Sequence, residues 1–350
     1  MSSIVFVTWD GGGNLPPMLA VAGELSARGH FITFLAHPGQ ERTIRDAGLA
    51  FSAYSEANTG LRELSLFADR GHGTDVLRWV EQNRPDLVIV DCFLFGVMET
   101  LMSAGRQYAV FVHLFDGYLR PALRGPFGIV LRLKGVRGLR VLNWSIGTVA
   151  TSWERLDPQR DHVVHVGPVT GGVPSIPSSP PTVLLSLSTY PYRHLTDLWQ
   201  ELFDAVEGMP IRAIATLGPH VTPEQLTIPD SVEVHEWLPH HAVMPSASLV
   251  VTHGGHGTAM TALAHGVPVL ILPLDLRTDQ SAVGRAIQAA GAGRLISRRS
   301  TPDRIRLAIT DLLTDGFAQA AANLGAELRA LDGPRAGADA YESMLDPSVP

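Results

Sequence analysis

The 350-residue sequence predicts an α/β fold made of two Rossmann-like halves. Three observations predict it. Short runs rich in β-branched residues alternate with helical segments, which is the order of a doubly wound parallel sheet. Glycine-rich loops stand between a strand and the following helix at Gly11–Gly13 and at Gly254–Gly257. A Pro/Ser/Gly-rich stretch, Gly171–Pro181, then separates two such series, as an inter-domain linker does.

In chain order, Ile4–Thr8 reads as a strand, and a helix runs from about Pro16 to Arg28 with Gly29 as its left-handed stop. Phe31–Ala36 is the next strand, and Gln40–Ala47 a helix ended by Gly48. Thr74–Asn83 reads as a helix, Leu87–Val90 as a buried strand after the Arg84-Pro85-Asp86 turn, and Ala109–His113 as a strand. Residues 114–143, rich in Pro and Gly, are expected to form loops or short helices near the mouth of a site. Val163–Val166 is a strand stopped at Gly167-Pro168. Beyond the linker the order resumes with strand Thr182–Leu187, helix His194–Glu207, and strands Ile211–Thr216 and Val232–His235. Val250–Gln280 then reads as one βαβ unit, and further helices start near Asp279, Thr301 and Phe317.

Composition narrows the function classes. With 45% apolar and 17% charged residues, the chain can bury substantial cores and is not a disordered one. A net charge of −7 argues against nonspecific nucleic-acid or anionic-membrane binding. Lys134 is the only lysine, which disfavours Schiff-base chemistry, and the lone Cys92 excludes an intrachain disulfide or a thiolate zinc cluster. The apolar runs near Leu87–Met98 and Val267–Leu274 are too short to span a bilayer. The opening MSSIVFVTWDGGG starts directly on a strand without a basic leader, so a cytoplasmic protein is expected.

The chemistry concentrates in Val250–Gln280. His253-Gly254-Gly255-His256-Gly257-Thr258 joins a strand to a helix, where unpaired N–H groups and the positive end of the helix dipole suit a phosphate or diphosphate. His253 adds an imidazole donor, and the hydroxyls of Ser188 and Thr189, at another strand end, can reach the same anion. Trp237, within Glu236–His240, offers an indole face for a base, with Leu238 beside it. Asp279 and Gln280, at the start of the helix after the last strand, are placed for sugar hydroxyls. A glycine-rich loop alone would equally be a plain strand-to-helix turn, and it is this company that gives it meaning.

Trp237–Gln280 resembles the signature of family-1 GT-B glycosyltransferases, which glycosylate natural products and other small acceptors. Thr182–Thr189, Thr216–Pro219 and Gly291–Gly293 are similar to the bacterial branch, and residues 11–36 are similar to the family's opening strand-loop-helix. The resemblance implies a GT-B fold, two Rossmann-like domains facing a cleft. Residues 1–170 would bind the acceptor, 171–181 would be the linker, and 182–330 would bind the nucleotide sugar. Residues 331–350 would form a tail packing back toward the first domain. It also implies that His253 and the amides of Gly255, Gly257 and Thr258 hold the diphosphate and that Ser188 and Thr189 meet it from across the site. Trp237 and Leu238 would border the base, and Asp279 and Gln280 would hold the sugar. No metal is implied, because the helix N-terminus and His253 neutralise the leaving diphosphate, and the donor is a dTDP- or UDP-sugar with no further cofactor.

One departure matters for mechanism. Anchoring on Pro17–Ala22 puts Asn14 where the family usually carries a histidine base. An amide has no usable titration, so Asn14 either orients the acceptor or merely caps the following helix. A base from elsewhere has three candidates. Asp91 lies near the position of the family's acidic partner, His113 could be oriented by Asp91 or Asp116, and Asp10 shares the Asn14 loop. Thr261 stands where many members carry a ribose-binding Glu, the loop Leu274–Thr278 is longer than usual, and the segment from His113 to Thr151 is short.

The expected function is that of an inverting, metal-independent, hexosyltransferase-type enzyme moving a sugar from dTDP or UDP to a small, natural-product acceptor. That acceptor would be an intrinsically acidic phenol, or would attack through carbon, unless a shifted base serves. The partners are then the acceptor and the nucleotide sugar, without nucleic acid or a membrane span, and a homodimer is allowed. The alternative is a glycosyltransferase-like auxiliary protein that binds a partner enzyme without turnover. A nicotinamide dehydrogenase is disfavoured because Gly11-Gly12-Gly13 lacks the G-x-G-x-x-G spacing.

Overall fold

The fold comes from a computed structural model, which describes residues 1–54, 63–158, 162–275 and 277–345. The chain divides into two compact units, Met1–Val169 together with the segment from Asp332 onward, and Thr170–Leu331. The last residues of the expected tail, 346–350, and Leu276 of the Leu274–Thr278 loop lie outside the described residues.

The first unit holds β1 (Ser3–Val7), β2 (Phe31–Ala36), β3 (Ala50–Ala53), β4 (Leu87–Asp91), β5 (Ala109–Val112), β6 (Thr148–Ala150) and β7 (Val163–His165). They form one parallel sheet in the order β3-β2-β1-β4-β5-β6-β7. Alternation along β1 builds a core on each face. Ile4 and Phe6 join Leu15, Met18, Val21 and Tyr341 on one side, while Val5 and Val7 join Trp9, Val76 and Val90 on the other. The helix Gly333–Ser343 belongs to this unit. A Cβ at Gly337 would sit 2.9 Å from Val21, so the helix Leu15–Ala27 approaches closely there. Arg28 binds Asp339 and Glu342, and the Tyr341 hydroxyl donates to the Val110 carbonyl at 3.2 Å.

Several elements differ from the sequence reading. β3 and β6 went unread because runs of three or four residues are too short to show a period. The helix Phe95–Ser103 was hidden in the apolar run that begins with β4, since strand and helix buried on all sides look alike. The helix expected from Thr74 begins at Arg70, where the Asp69 carboxylate accepts from the Gly71 and His72 amides. Residues 114–143 form three short helices, Asp116–Arg124, Pro126–Leu133 and Gly138–Trp144. The helix expected near Phe317 begins at Asp315.

The second unit holds β8 (Thr182–Ser186), β9 (Arg212–Thr216), β10 (Val232–His235), β11 (Ala247–Thr252), β12 (Val269–Ile271) and β13 (Gly293–Leu295), parallel in the order β10-β9-β8-β11-β12-β13. Trp199, Leu202 and Phe203 of the helix Leu195–Val206 bury one face of this sheet with Leu185, Leu249 and Val251. The Pro/Ser/Gly-rich stretch is pinned to this unit, with the Ser175 amide donating to the His265 carbonyl at 2.7 Å and the Ser175 hydroxyl to Ala247 at 2.7 Å.

Strand order places the chemistry. In the first sheet the chain runs outward from β1 to β3, then returns to lay β4 on the other side of β1. In the second it runs from β8 to β10 and returns to lay β11 beside β8. At such a switch point the flanking loops diverge, leaving a crevice at the strand carboxyl ends where ligands bind. The Asn14 loop and Asp91 stand at the β1/β4 switch, and Ser188 and His253 at the β8/β11 switch.

Candidate functional site

At the β8/β11 switch, β11 ends at Thr252 and the helix His256–Ala264 begins after two glycines. Gly254 adopts φ +93°, and a Cβ there would meet the Gln280 carbonyl at 2.9 Å, so only glycine brings this loop against the start of the next helix. The first backbone bond of the helix runs from the Ala259 amide to the Gly255 carbonyl at 3.1 Å. The His256, Gly257 and Thr258 amides precede it and have no helical acceptor, which makes this end electropositive. Space around Gly257 is open, and a Cβ there would meet nothing within 4 Å.

His253 folds its ring over this loop, with Cε1 and Nε2 2.8 Å from the Cβ that Gly255 lacks. Burial pushes the imidazole down to about 4, against a smaller opposing effect of the Leu187 backbone, so the ring is neutral at neutral pH. The Tyr192 ring lies 6.0 Å from it. Ser188 is buried and its hydroxyl oxygen accepts from the Tyr190 amide at 2.9 Å, while Thr189 is exposed beside it. Trp237 is 70% exposed, leaving its indole face open, and Leu238 next to it is half-buried.

Asp279 and Gln280 open the helix Gln280–Ala289 as expected, but Gln280 is largely committed. It is 2% exposed, and its side-chain oxygen accepts from the Leu274 and Asp275 amides at 2.7 and 3.1 Å. Its amide NH₂ is left to meet a ligand, and Asp279 beside it is also largely buried, at 9% exposure.

At the β1/β4 switch the structure gathers a buried polar cluster. Asp91 ends β4 with no exposure. Its Oδ1 accepts from the Trp9 indole at 3.1 Å and the Phe93 amide at 3.0 Å. Its Oδ2 accepts from Asn14 Nδ2 at 3.0 Å and lies 3.2 Å from Nδ1 of His113, just beyond β5. Burial by itself would raise this carboxyl's pKa. The facing His113, the Phe93 amide and Asn14 outweigh that and hold it below the usual carboxylate value. The Cys92 sulfur is 3.8 Å from the same His113 nitrogen. Aromatic rings wall the cluster, with Phe67 stacked on Phe93 at 4.9 Å and Phe93 5.7 Å from His113.

Asp91, Cys92 and His113 present donor atoms within 4.8 Å of one another, a grouping that the sequence reading did not foresee. The geometry is that of hydrogen bonding. One imidazole nitrogen faces both the carboxylate and the sulfur, so a cation there would have to replace the proton that links them.

The cap reading of Asn14 is corrected. Asn14 holds the N-cap position of the helix Leu15–Ala27, yet its side chain makes no cap hydrogen bond. A cap bonds the N2 or N3 amide, and here those residues are Pro16 and Pro17, which have none. Its amide instead donates to Thr8 Oγ1, the Trp9 carbonyl and Asp91, each at 3.0 Å, and its oxygen accepts from the Gly11 amide at 3.3 Å. At 1% exposure it is a buried support for Asp91. Asp116 pairs with Arg120 at 3.1 Å, so Asp91 is the carboxylate that orients His113. Asp10 is exposed and 4.0 Å from His37, outside the Asp91 cluster. Sequence reasoning missed Trp9 and Tyr54, whose hydroxyl donates to the Thr8 carbonyl. Trp9 directly follows the first strand end, and that position was the available signal.

The chain is similar in sequence and in fold to known proteins. Residues 200–341 match the family described as erythromycin biosynthesis protein CIII-like, C-terminal domain. Demethyllactenocin mycarosyltransferase of Streptomyces fradiae is 24% identical over 100% of this chain and 88% of that protein. Among solved structures, the calicheamicin glycosyltransferase CalG4 superposes with a TM-score of 0.79 at 23% identity, covering 100% of both chains. The glycosyltransferase VinC, solved in complex with dTDP, gives 0.74 at 22% identity over 98% of this chain and 99% of that one. No described helix is long and apolar enough to cross a membrane.

Proposed function

We propose that this chain, which has the GT-B fold, is a glycosyltransferase of the natural-product type, inverting and metal-independent. In this reading it carries a sugar from dTDP, the nucleotide bound by its structural relative VinC, to a small natural-product acceptor, with His113 as base. The observation that carries the assignment of the base is the 3.2 Å approach of His113 Nδ1 to an ionised, fully buried Asp91. A proton on Nδ1 directed at the carboxylate leaves Nε2 as the basic nitrogen, the same division of labour as in other carboxylate–histidine pairs.

Nε2 takes the proton of the acceptor hydroxyl while its oxygen bonds to the anomeric carbon from the face opposite the diphosphate. The bond from that carbon to the diphosphate oxygen breaks through an oxocarbenium-like transition state, and the configuration inverts. The diphosphate leaves with the electron pair toward the His256–Thr258 amides and the neutral His253. Fixed dipoles there stabilise the developing charge. Trp237 stacks the base, Asp279 holds sugar hydroxyls, and Ser188 and Thr189 contribute donors to the diphosphate.

Asn14 is then a positioning residue, holding Asp91 rather than touching the acceptor. His113→Gln should reduce kcat by roughly 10²–10⁴-fold while dTDP affinity stays within about twofold, since it removes a base and no donor contact. Unchanged kcat in a folded variant would eliminate His113 as base. Tight dTDP binding without transfer to any acceptor, in the wild-type protein, would instead favour the auxiliary reading.

A further inference from the structure

Beyond the donor residues lies a cavity of about 350 Å³ in the second unit, lined by the loop after β8, the loop after β12 and the segment after β13. Its walls include Arg193, Arg277, Arg298 and Arg299, with Asp275 as the only carboxylate among the lining residues. Arg277 closes on Asp275 through Nε at 3.0 Å and Nη2 at 2.9 Å, which leaves three guanidinium groups in excess. Arg298 is half-buried, and Arg193 and Arg299 are exposed. On a chain of net charge −7 this concentration of positive charge is local, not a property of the whole surface.

Strand order tells which part of a ligand the cavity faces. Along the carboxyl edge the sheet runs β10-β9-β8-β11-β12-β13. Trp237 follows β10, Ser188 follows β8 and His253 follows β11, while Asp279 follows β12. The edge therefore presents base, diphosphate and sugar contacts in that sequence, and the arginines after β13 come next. Two contacts tie the cavity to the donor residues. Tyr192 lies against His253 at 6.0 Å, and the Leu274 and Asp275 amides that form its wall are held by Gln280.

We propose that this cavity receives a carboxylate carried by the transferred sugar, making the donor a nucleoside-diphosphate uronate. The inference rests on the donor reading given above. Guanidinium forks match a carboxylate in two parallel hydrogen bonds, whereas a neutral hexose leaves them unused and a protonated amino sugar is repelled by them.

Isothermal titration of the whole protein with dTDP and UDP, with the glucose and glucuronate forms of whichever nucleotide binds, and with inorganic phosphate tests the idea. The expected result is that the glucuronate donor binds about tenfold more tightly than the glucose donor. That ratio should fall toward one in Arg298→Ala and in Arg193→Ala. If neither nucleotide binds, the donor reading itself fails and the uronate assignment falls with it. If a nucleotide binds but glucose and glucuronate donors bind alike, the donor reading stands and the uronate assignment is overturned. Phosphate binding that depends on Arg298, without any glucuronate preference, also overturns it and marks the cavity as a site for a separate anion.

Discussion

Replacing Asp91 by Asn keeps the shape of the side chain and removes its charge, and the surrounding hydrogen bonds say what must follow. The new Oδ1 still accepts from the Trp9 indole and the Phe93 amide. The new NH₂ then faces Asn14 Nδ2 at 3.0 Å and His113 Nδ1 at 3.2 Å. Two donors meet at Asn14, and His113 can answer only by becoming an acceptor at Nδ1. That moves its proton to Nε2, so the nitrogen assigned as base becomes a donor. The loss is that of a general base, roughly 10²–10⁴-fold in kcat, or about 3–5 kcal/mol of transition-state stabilisation. Losing one charge-assisted hydrogen bond in this dry cluster should also cost about 1.5–3 kcal/mol of folding stability. Steady-state transfer measured by nucleotide release, a thermal melt and a dTDP titration separate these effects. Nucleotide affinity should be unaltered, because none of these contacts belongs to the donor residues. A folded D91N protein with kcat within about threefold of the wild type would refute the dyad.

Three further expectations follow from other contacts. His72, 1% exposed, and His253 are each pushed down by burial from 6.5 to about 4, so the folded protein resists protonation. Their contribution is complete above pH 6.5 and is lost as pH falls toward 4, at most about 3 kcal/mol each at ~1.36 kcal/mol per unit. Urea titrations at pH 7.5 and 5 should show this fall, with a shallower slope in His72→Leu; equal slopes would count against it. Asn14→Asp would set a second carboxylate about 3 Å from Asp91, where both cannot ionise. This variant should be markedly destabilised at pH 8 and partly recover near pH 5, and a pH-independent melting temperature would contradict the placement of Asn14. Gly255→Ala puts a methyl 2.8 Å from the His253 ring, which must move. About tenfold weaker dTDP binding is expected, and unaltered binding would show that His253 does not face the diphosphate.

Most of the architecture was legible in local sequence. Strands such as β1, β4 and β11 are long enough and apolar enough to show themselves, and the glycines around His253 mark a strand-to-helix turn whatever surrounds it. The shorter β3, β6 and β13 gave too little pattern, and the Phe95–Ser103 helix vanished into the apolar run around it. Pro16 and Pro17 already state that no cap donor exists at N2 or N3, so the Asn14 side chain had to bond elsewhere.

What no local pattern contains is which side chains meet. Asp91 and His113 come together because β5 pairs beside β4 with Asp91 opposite Phe111, which brings the residue two positions further on to the same face. Asn14 reaches Asp91 because β4 returns to lie next to β1, and the arginine cavity exists only where loops after three strands converge. Periodicity records which face of a segment is buried, a property of neighbouring residues. Pairing between parallel strands depends on crossover paths and register, which arise only when the whole sheet assembles. The chemistry each loop can offer was therefore readable residue by residue, whereas the partner that turns His113 into a base was decided by the order of the strands.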